Sequence, residues 1–143
     1  MKLENEKRIL ELADFKKKVK YPNGDRVFIG CENGGLYEYS MNQKTTVHHF
    51  VQISKSPISC IVTTIDNKIL FVCDGDGNFK EFDMSTHEQV NNFKIKLAYL
   101  CVVTHDNQFL ITYSKINSNF SKWSIETKKE LFTWNNKVDI VAS

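Results

Sequence analysis

Two aspartates, Asp74 and Asp76, lie one residue apart directly after the apolar run 69–72. Carboxylates at this spacing can divide the work of phosphoryl transfer, with the first as nucleophile and the second as general acid. Together with Asn78 they also supply oxygen ligands at alternating positions, as the first half of a calcium loop does. The stretch therefore raises two chemical hypotheses, a phosphatase and a cation site.

The phosphatase hypothesis rests on a resemblance to the haloacid-dehalogenase family, whose first motif is an apolar strand followed by Asp-x-Asp-Gly-Thr. That motif precedes a helix in a parallel α/β sheet, whereas residues 78–84 have the pattern of another strand. A corresponding segment earlier in the chain carries Cys31 and Asn33 in place of Asp74 and Asp76. A phosphatase using these two aspartates is therefore kept only as the alternative function.

A metal site is disfavoured by the neighbouring residues. The sixth position of a calcium loop, which needs Gly, is Phe79, and the twelfth, which needs Glu, is Ser85. The cysteines and histidines have no zinc-ligand spacing, and the cysteines lie in apolar runs as small core residues do: Cys31, Cys60, Cys73, Cys101, His48, His49, His87 and His105. We predict no catalytic residue, no metal and no cofactor, and therefore a protein that is not an enzyme.

The composition of the 143 residues predicts one globular domain, with 41% apolar and 12% aromatic residues. No run approaches the roughly 18 apolar residues of a membrane span, and the charged start is unlike a signal peptide. Residues 1–20 hold seven Lys/Arg against four Asp/Glu, and the remainder holds 12 against 13. We expect a cytoplasmic protein without nucleic-acid, membrane or small-molecule partners; nucleic-acid binding through the basic start is the weakest alternative.

The chain contains an internal repeat. Residues 27–50 align without a gap on residues 70–93, at an offset of 43. Identical pairs in this alignment are Phe28 with Phe71, Gly34 with Gly77, Glu38 with Glu81, Met41 with Met84, Val47 with Val90, and Phe50 with Phe93. Aromatic and aliphatic character recurs at the positions expected to pack, whereas the remaining positions differ, as in repeated structural units.

A third copy follows at an offset of 41, aligning residues 79–93 with 120–134 and residues 59–63 with 100–104. One unit has the pattern of four short strands separated by turns rich in Gly, Asn and Asp. Four strands in a period of roughly 40 to 45 residues are typical of a β-propeller blade.

The repeats resemble those of the WD-repeat family. That family ends its third strand with an apolar residue, two variable positions and Trp-Asp, and often has Asp three residues before this motif. The corresponding strand ends here are Leu36-x-x-Tyr39-Ser40, Phe79-x-x-Phe82-Asp83 and Phe120-x-x-Trp123-Ser124, and the turn positions are Asn33, Asp76 and Asn117. The family's opening Gly-His pair is absent, so its buried Asp–His network cannot be complete in this chain.

The resemblance covers residues 15–143 and implies an all-β fold. We predict a partial β-propeller of about three four-stranded antiparallel blades, near 15–50, 58–94 and 98–134, which does not close into a ring by itself. A further strand is predicted to start at 138–142, after an N-terminal extension at 1–14. The three turn positions are predicted to be structural, with Asp76 accepting backbone amide hydrogen bonds.

The resemblance also implies a function, that of a non-catalytic protein–protein interaction scaffold in a larger assembly or propeller. The expected partners are other proteins, or further copies of this chain paired through the open blade edges. In the family, partners often meet the loops between the fourth and first strands and between the second and third. On this chain those loops carry the candidate protein-binding residues Lys55, Asp74, Lys96 and Lys115.

Overall fold

A computed structural model describes residues 19–50, 53–94, 98–114 and 118–135. These residues form twelve β-strands and no helix, in three separate four-stranded antiparallel sheets that do not close a ring. In the described part of the chain, accordingly, no helix is long and apolar enough to cross a membrane. The all-β fold with four-stranded blades is confirmed; the predicted extension at 1–14 and strand at 138–142 lie outside the described residues.

Each sheet, here called a blade, is a meander in which neighbouring strands are joined by hairpin turns. Blades 1, 2 and 3 contain, in order, β1 (Val19–Asn23), β2 (Arg26–Gly30), β3 (Leu36–Ser40) and β4 (Thr45–Phe50); β5 (Ile58–Thr63), β6 (Ile69–Asp74), β7 (Asn78–Asp83) and β8 (Glu88–Lys94); and β9 (Ala98–Val103), β10 (Phe109–Ser114), β11 (Asn119–Ser124) and β12 (Glu130–Asn135).

The blades repeat in backbone conformation as well as in sequence. Each has one residue with positive φ, between 50° and 84°, in each of its three hairpin turns. In chain order these residues are Gly24, Gly34 and Lys44; Asn67, Gly77 and His87; and Asn107, Ser118 and Lys128. Because this region costs a residue with a side chain roughly 1–2 kcal/mol, the flanking strands must hold the non-glycine turns in place.

A register shift recurs between the third and fourth strands of every blade. It falls between Glu38 and Tyr39 in blade 1, between Glu81 and Phe82 in blade 2, and between Lys122 and Trp123 in blade 3. Such a bulge re-aims the side chains beside it and increases the local twist of the strands. The residue before the shift therefore has an equivalent position in the backbone of all three blades.

The first strand of blade 3 aligns one residue differently from the sequence alignment. The Thr104 amide donates to Phe109 in the turn after β9, as the Thr64 amide donates to Ile69 in the turn after β5. This equivalence makes the offset 40 rather than 41 for the first strand. The correction matters because a shift of one residue moves every side chain of a strand to the other face.

The core lies between the blades. Alternate residues of β6 face opposite ways, so Leu70 and Val72 pack towards blade 1 while Phe71 and Cys73 pack towards blade 3. All four are buried, which explains why this strand is continuously apolar. The first strands of the blades lie side by side, with β5 against both β1 and β9.

Candidate protein-binding groove

A polar groove of about 530 Å³ lies on blade 2, where the β4–β5 loop meets the β6–β7 turn and the strand β7. Its charged residues are one lysine from the loop, two aspartates from the end of β6 and the turn, and a second lysine from β7. The side chains that matter for its chemistry are Ser54, Lys55, Asp74, Asp76, Asn78 and Lys80. The groove therefore joins one of the loop regions implied by the WD-repeat resemblance to the aspartates that first suggested catalysis.

Asp74 is the buried anchor of the groove, with only 3% of its surface exposed. Its Oδ1 accepts hydrogen bonds from the backbone amides of Asp76 and Asn78, each at 2.9 Å. Its Oδ2 accepts from the Ser54 hydroxyl and from the Asn78 side-chain amide, the latter at 2.9 Å. Burial raises the pKa of Asp74, but these hydrogen bonds outweigh it and hold the pKa below its ordinary value.

The turn after β6 is capped by Asp74, which corrects the role predicted for Asp76. The Gly77 amide donates to the Asp74 carbonyl at 3.1 Å, so Asp74 opens the turn and its carboxylate faces the amides that follow. Asp76 is exposed near the middle of the turn, where it accepts from the Ser56 hydroxyl instead. The repeat register alone could not decide between them, because it gives the turn position but not the last residue of the strand.

The equivalent turn of blade 1 uses different chemistry. Cys31 occupies the position of Asp74, and Asn33 occupies that of Asp76. The side-chain oxygen of Asn33 accepts from the Gly35 amide at 3.0 Å. Asn117, the third predicted turn residue, lies outside the described residues.

The β4–β5 loop is held against both turns. The Ile58 amide donates to the Cys31 carbonyl at 3.1 Å, and the Gly75 amide donates to the Pro57 carbonyl at 2.8 Å. The Lys80 ammonium donates to the Ile53 carbonyl. Both neighbouring blades therefore hold the β4–β5 loop through hydrogen bonds.

The four predicted protein-binding residues have different positions. Lys55 is exposed at the groove, whereas Asp74 is buried and both of its oxygens accept hydrogen bonds from within the protein. Lys96 and Lys115 lie outside the described residues. Ser54 and Lys80 were missed because no local sequence pattern connects a loop residue with a strand 20 or more positions away.

The groove geometry does not favour acid–base or nucleophilic chemistry. A nucleophilic carboxylate needs an oxygen aimed at substrate, but both oxygens of Asp74 are engaged within the protein, and the strand β7 follows the turn. Burial raises the pKa of the neighbouring Cys73 thiol to about 12, so it is protonated at neutral pH. Over the described ranges, no group of three or more His, Cys, Asp or Glu side chains could hold a metal ion.

Comparisons with known sequences give no family. No family model matches this sequence, and no curated protein matches it. The relationship to known proteins therefore has to be judged from three-dimensional structure.

Solved structures match the chain closely in fold. The WD40 repeats of RRP9 and the protein U3-55K each superpose with a TM-score of 0.72 at 13% identity, covering 83% of this chain and 38% of theirs. Hydrazine synthase of Kuenenia stuttgartiensis superposes with a TM-score of 0.73 at 10% identity, covering 84% of this chain and 35% of that one. The chain thus spans less than two fifths of the length of these structures.

Identities this low show the fold alone. One of these structures is of WD40 repeats and another is an enzyme by name, so the architecture carries more than one function. What the comparisons establish is the fold: the described part of this chain consists of three four-stranded blades like those of a β-propeller.

Proposed function

We propose that the chain is a non-catalytic scaffold for protein–protein interaction and works within a larger assembly. The observation that carries this proposal is the groove between the β4–β5 loop and blade 2. The buried carboxylate of Asp74 accepts hydrogen bonds from the β4–β5 loop and the β6–β7 turn, whereas the side chains of Lys55 and Asp76 are exposed. A WD40-type propeller fold, which presents loops from a stiff framework, supports the same interpretation.

The chemistry of the groove favours a polar protein segment as its occupant. It offers an exposed ammonium in the β4–β5 loop and an exposed carboxylate in the β6–β7 turn. Opposite charges on one rigid surface give orientation and specificity to a protein partner more than raw affinity. Asp74 contributes indirectly, because it holds the Ser54 loop and the 74–78 turn in register.

Site-specific photo-crosslinking from position 55 tests this function. A photoreactive amino acid at Lys55, in the full chain in its native cells, should give one dominant adduct with another protein. The matched control carries the same group at Lys68, an exposed lysine in the β5–β6 turn at the opposite end of the blade. Adducts of the same pattern and yield from both positions would reject the groove as a binding site.

Charge reversal provides the second measurement. Lys55→Glu should reduce the captured partner at least tenfold, whereas Lys68→Glu should leave the amount unchanged. Both side chains are exposed, so thermal unfolding should be the same for the two variants. Undiminished capture by Lys55→Glu would contradict the proposal.

A further inference from the structure

Three cysteines lie in the apolar core between blades 2 and 3. Cys60 of β5 and Cys73 of β6 belong to blade 2, Cys101 of β9 belongs to blade 3, and each is a reduced cysteine. The sulfur atoms of Cys60 and Cys101 lie 2.8 Å apart, although the two residues are 41 positions apart in the sequence. A disulfide bond places its sulfurs about 2.05 Å apart, so a shift of under about 1 Å would bring this pair to bonding distance.

The corresponding position at the other boundary carries no sulfur. With the offset of 40 that the hairpin turns give for the first strand, Cys101 is equivalent to Ile61. Ile61 is buried in the core between blades 1 and 2, as Cys101 is buried in the core between blades 2 and 3. An aliphatic side chain is therefore sufficient to fill this position, and packing alone does not require a thiol there.

The two sulfurs of the pair have different surroundings. The Cys101 backbone amide donates to the Cys60 sulfur at 3.2 Å, whereas the Cys101 carbonyl is farther from it, at 3.8 Å. A hydrogen bond from the Cys101 thiol, together with this amide, lowers the pKa of Cys60. The same thiol–thiol hydrogen bond and burial raise the pKa of Cys101. Because the thiolate is the form that reacts with oxidants, Cys60 is the sulfur placed to react first.

Solvent access separates Cys60 from Cys73. The two residues are directly opposite each other on β5 and β6, so a bond between them is the competing product. Cys73 has no exposed surface, however, whereas Cys60 and Cys101 are each 7% exposed. Burial also raises the pKa of Cys73 to about 12, which keeps it protonated at neutral pH. Cys101 is therefore the expected partner of Cys60.

We propose that Cys60 and Cys101 form a redox-active pair, which hydrogen peroxide converts into a disulfide bond between blades 2 and 3. In the first step the Cys60 sulfur attacks one peroxide oxygen and the O–O bond breaks. This step leaves a sulfenic acid on Cys60, and the released hydroxide takes up the proton of the Cys60 thiol. The Cys101 sulfur then attacks the sulfenic sulfur, the S–O bond breaks, and the second hydroxide takes up the Cys101 proton. Two thiols and one hydrogen peroxide become one disulfide and two waters.

The bond adds a covalent link to the apolar contacts that hold blade 3 on blade 2. A disulfide between residues 41 positions apart stabilises the folded protein by restricting the unfolded chain. A thiol reductant reverses the reaction, so the strength of this boundary depends on the redox conditions. The pair lies away from the β4–β5 loop, and the proposal does not depend on the groove's having a partner.

Peptide mapping of the full chain after treatment with hydrogen peroxide tests the pairing. Trypsin places each cysteine in a different peptide, which are 27–44, 56–68, 69–80 and 97–115. The expected product is peptide 56–68 joined to peptide 97–115, in a protein that runs as a single chain on a non-reducing denaturing gel. Dithiothreitol should separate the two peptides again. A link between 56–68 and 69–80, a link between two chains, or the absence of any link would overturn the proposal.

Serine variants identify the sulfur that reacts first. Cys101→Ser keeps a hydroxyl donor and the backbone amide beside Cys60, so dimedone, which traps sulfenic acids, should label position 60. Cys60→Ser should give at least tenfold less label at position 101. Cys31→Ser, at a buried cysteine of blade 1, is the matched control and should keep the disulfide. Equal labelling at positions 60 and 101 would overturn the assigned order. The peptide map needs no variant, so it remains decisive where a serine destabilises the core.

Thermal unfolding measures the effect of the link on the boundary. The oxidised parent should unfold about 5 °C or more above the reduced parent, because the crosslink restricts the unfolded chain. Cys101→Ser should show no such rise after the same treatment. Each protein is compared with its own reduced form, which removes the effect of the serine itself. An unchanged or lower unfolding temperature in the linked parent would contradict the stabilising role.

Discussion

The boundary between blades 1 and 2 and the boundary between blades 2 and 3 use the same positions with different side chains. In the first, Glu38 meets His87 and has Arg26 a further 3.7 Å away. In the second, Glu81 meets Lys128. In the apolar core between these two blades, the sulfur atoms of Cys60 and Cys101 lie 2.8 Å apart. The bulge and the positive-φ turn recur at both boundaries, whereas the side chain that meets the glutamate is a histidine at one and a lysine at the other.

Backbone approach is a second difference between the boundaries. In blade 1, a Cβ placed on Gly34 would lie 2.0 Å from the Ser54 carbonyl oxygen, and one placed on Gly30 would lie 2.4 Å from the Ile58 side chain. Blade 2 has Cys73 at the position of Gly30. The first boundary therefore depends on close backbone packing that the second does not need at that position.

The largest effect is expected from Gly34→Ala. Its φ of +84° disfavours a side chain, and the backbone oxygen of Ser54 occupies the space that the new methyl group needs. We expect a loss of about 4 kcal/mol in the free energy of unfolding, measured by urea denaturation. Gly24→Ala is the control, since its φ is +60° but nothing lies within 4 Å, and it should lose only about 1 kcal/mol. Equal losses would show that the close approach is unimportant.

Removing the side chain that meets each glutamate should distinguish the two boundaries next. Lys128→Met leaves the buried Glu81 without the ammonium that lies 2.7 Å away, and should cost about 2 kcal/mol of unfolding free energy. His87→Met should cost less, about 1 kcal/mol, because Arg26 remains near Glu38. Lys129→Met, at an exposed neighbouring lysine, is the control and should be nearly neutral. A greater loss for His87→Met than for Lys128→Met would reverse the comparison.

Asp74→Asn should weaken the loop at the first boundary by about 2 kcal/mol, because an amide group would face donors that now meet a carboxylate. Hydrogen bonds keep the folded-state pKa of Asp74 below 3.8, so its contribution is present above pH 3.8 and is lost as the pH falls through the folded pKa. Denaturation at pH 7 and pH 3 should therefore show a smaller difference between variant and parent at pH 3. Asp76→Asn is the exposed control, and an equal loss there would contradict the anchoring role.

The smallest effect concerns the pH dependence of the first boundary. Burial and the neighbouring His87 lower the pKa of His48 below 6.5, so the unfolded chain binds a proton more readily. The stabilisation is full above pH 6.5 and falls as the pH decreases towards the folded pKa. His48→Phe should flatten the stability profile between pH 5 and 7, whereas Asn91→Phe, at the equivalent position of blade 2, should keep the parental slope. An unchanged slope in His48→Phe would remove this distinction.

The repeat made the blades predictable, because aromatic and aliphatic residues recur at a fixed period and turn residues separate them. The register of β9 was predicted one residue out, since a match of similar apolar residues does not specify which face of the strand each one occupies. Identifying the residue that caps the β6–β7 turn required knowing whether β6 ends before or after Asp74. The exact end of a strand is its least predictable property.

The contacts between distant residues were harder to predict from the sequence than the blades were. Ser54 and Asp74 are 20 residues apart, and Glu38 and His87 are 49 apart. No local pattern specifies such a pair. The repeated glutamate at positions 38 and 81 and the basic residues in the third turns do carry a signal, but its meaning depends on knowing that neighbouring blades face each other there.

The placement of the core between blades has a consequence for cooperativity. Blade 2 shares its two apolar layers with blades 1 and 3, so removing either neighbour exposes a whole face of it. Stability in such an array comes from nearest-neighbour interfaces more than from any single unit. We therefore expect unfolding of blade 1 or blade 3 to destabilise blade 2 as well. None of the three blades should fold stably without a neighbour.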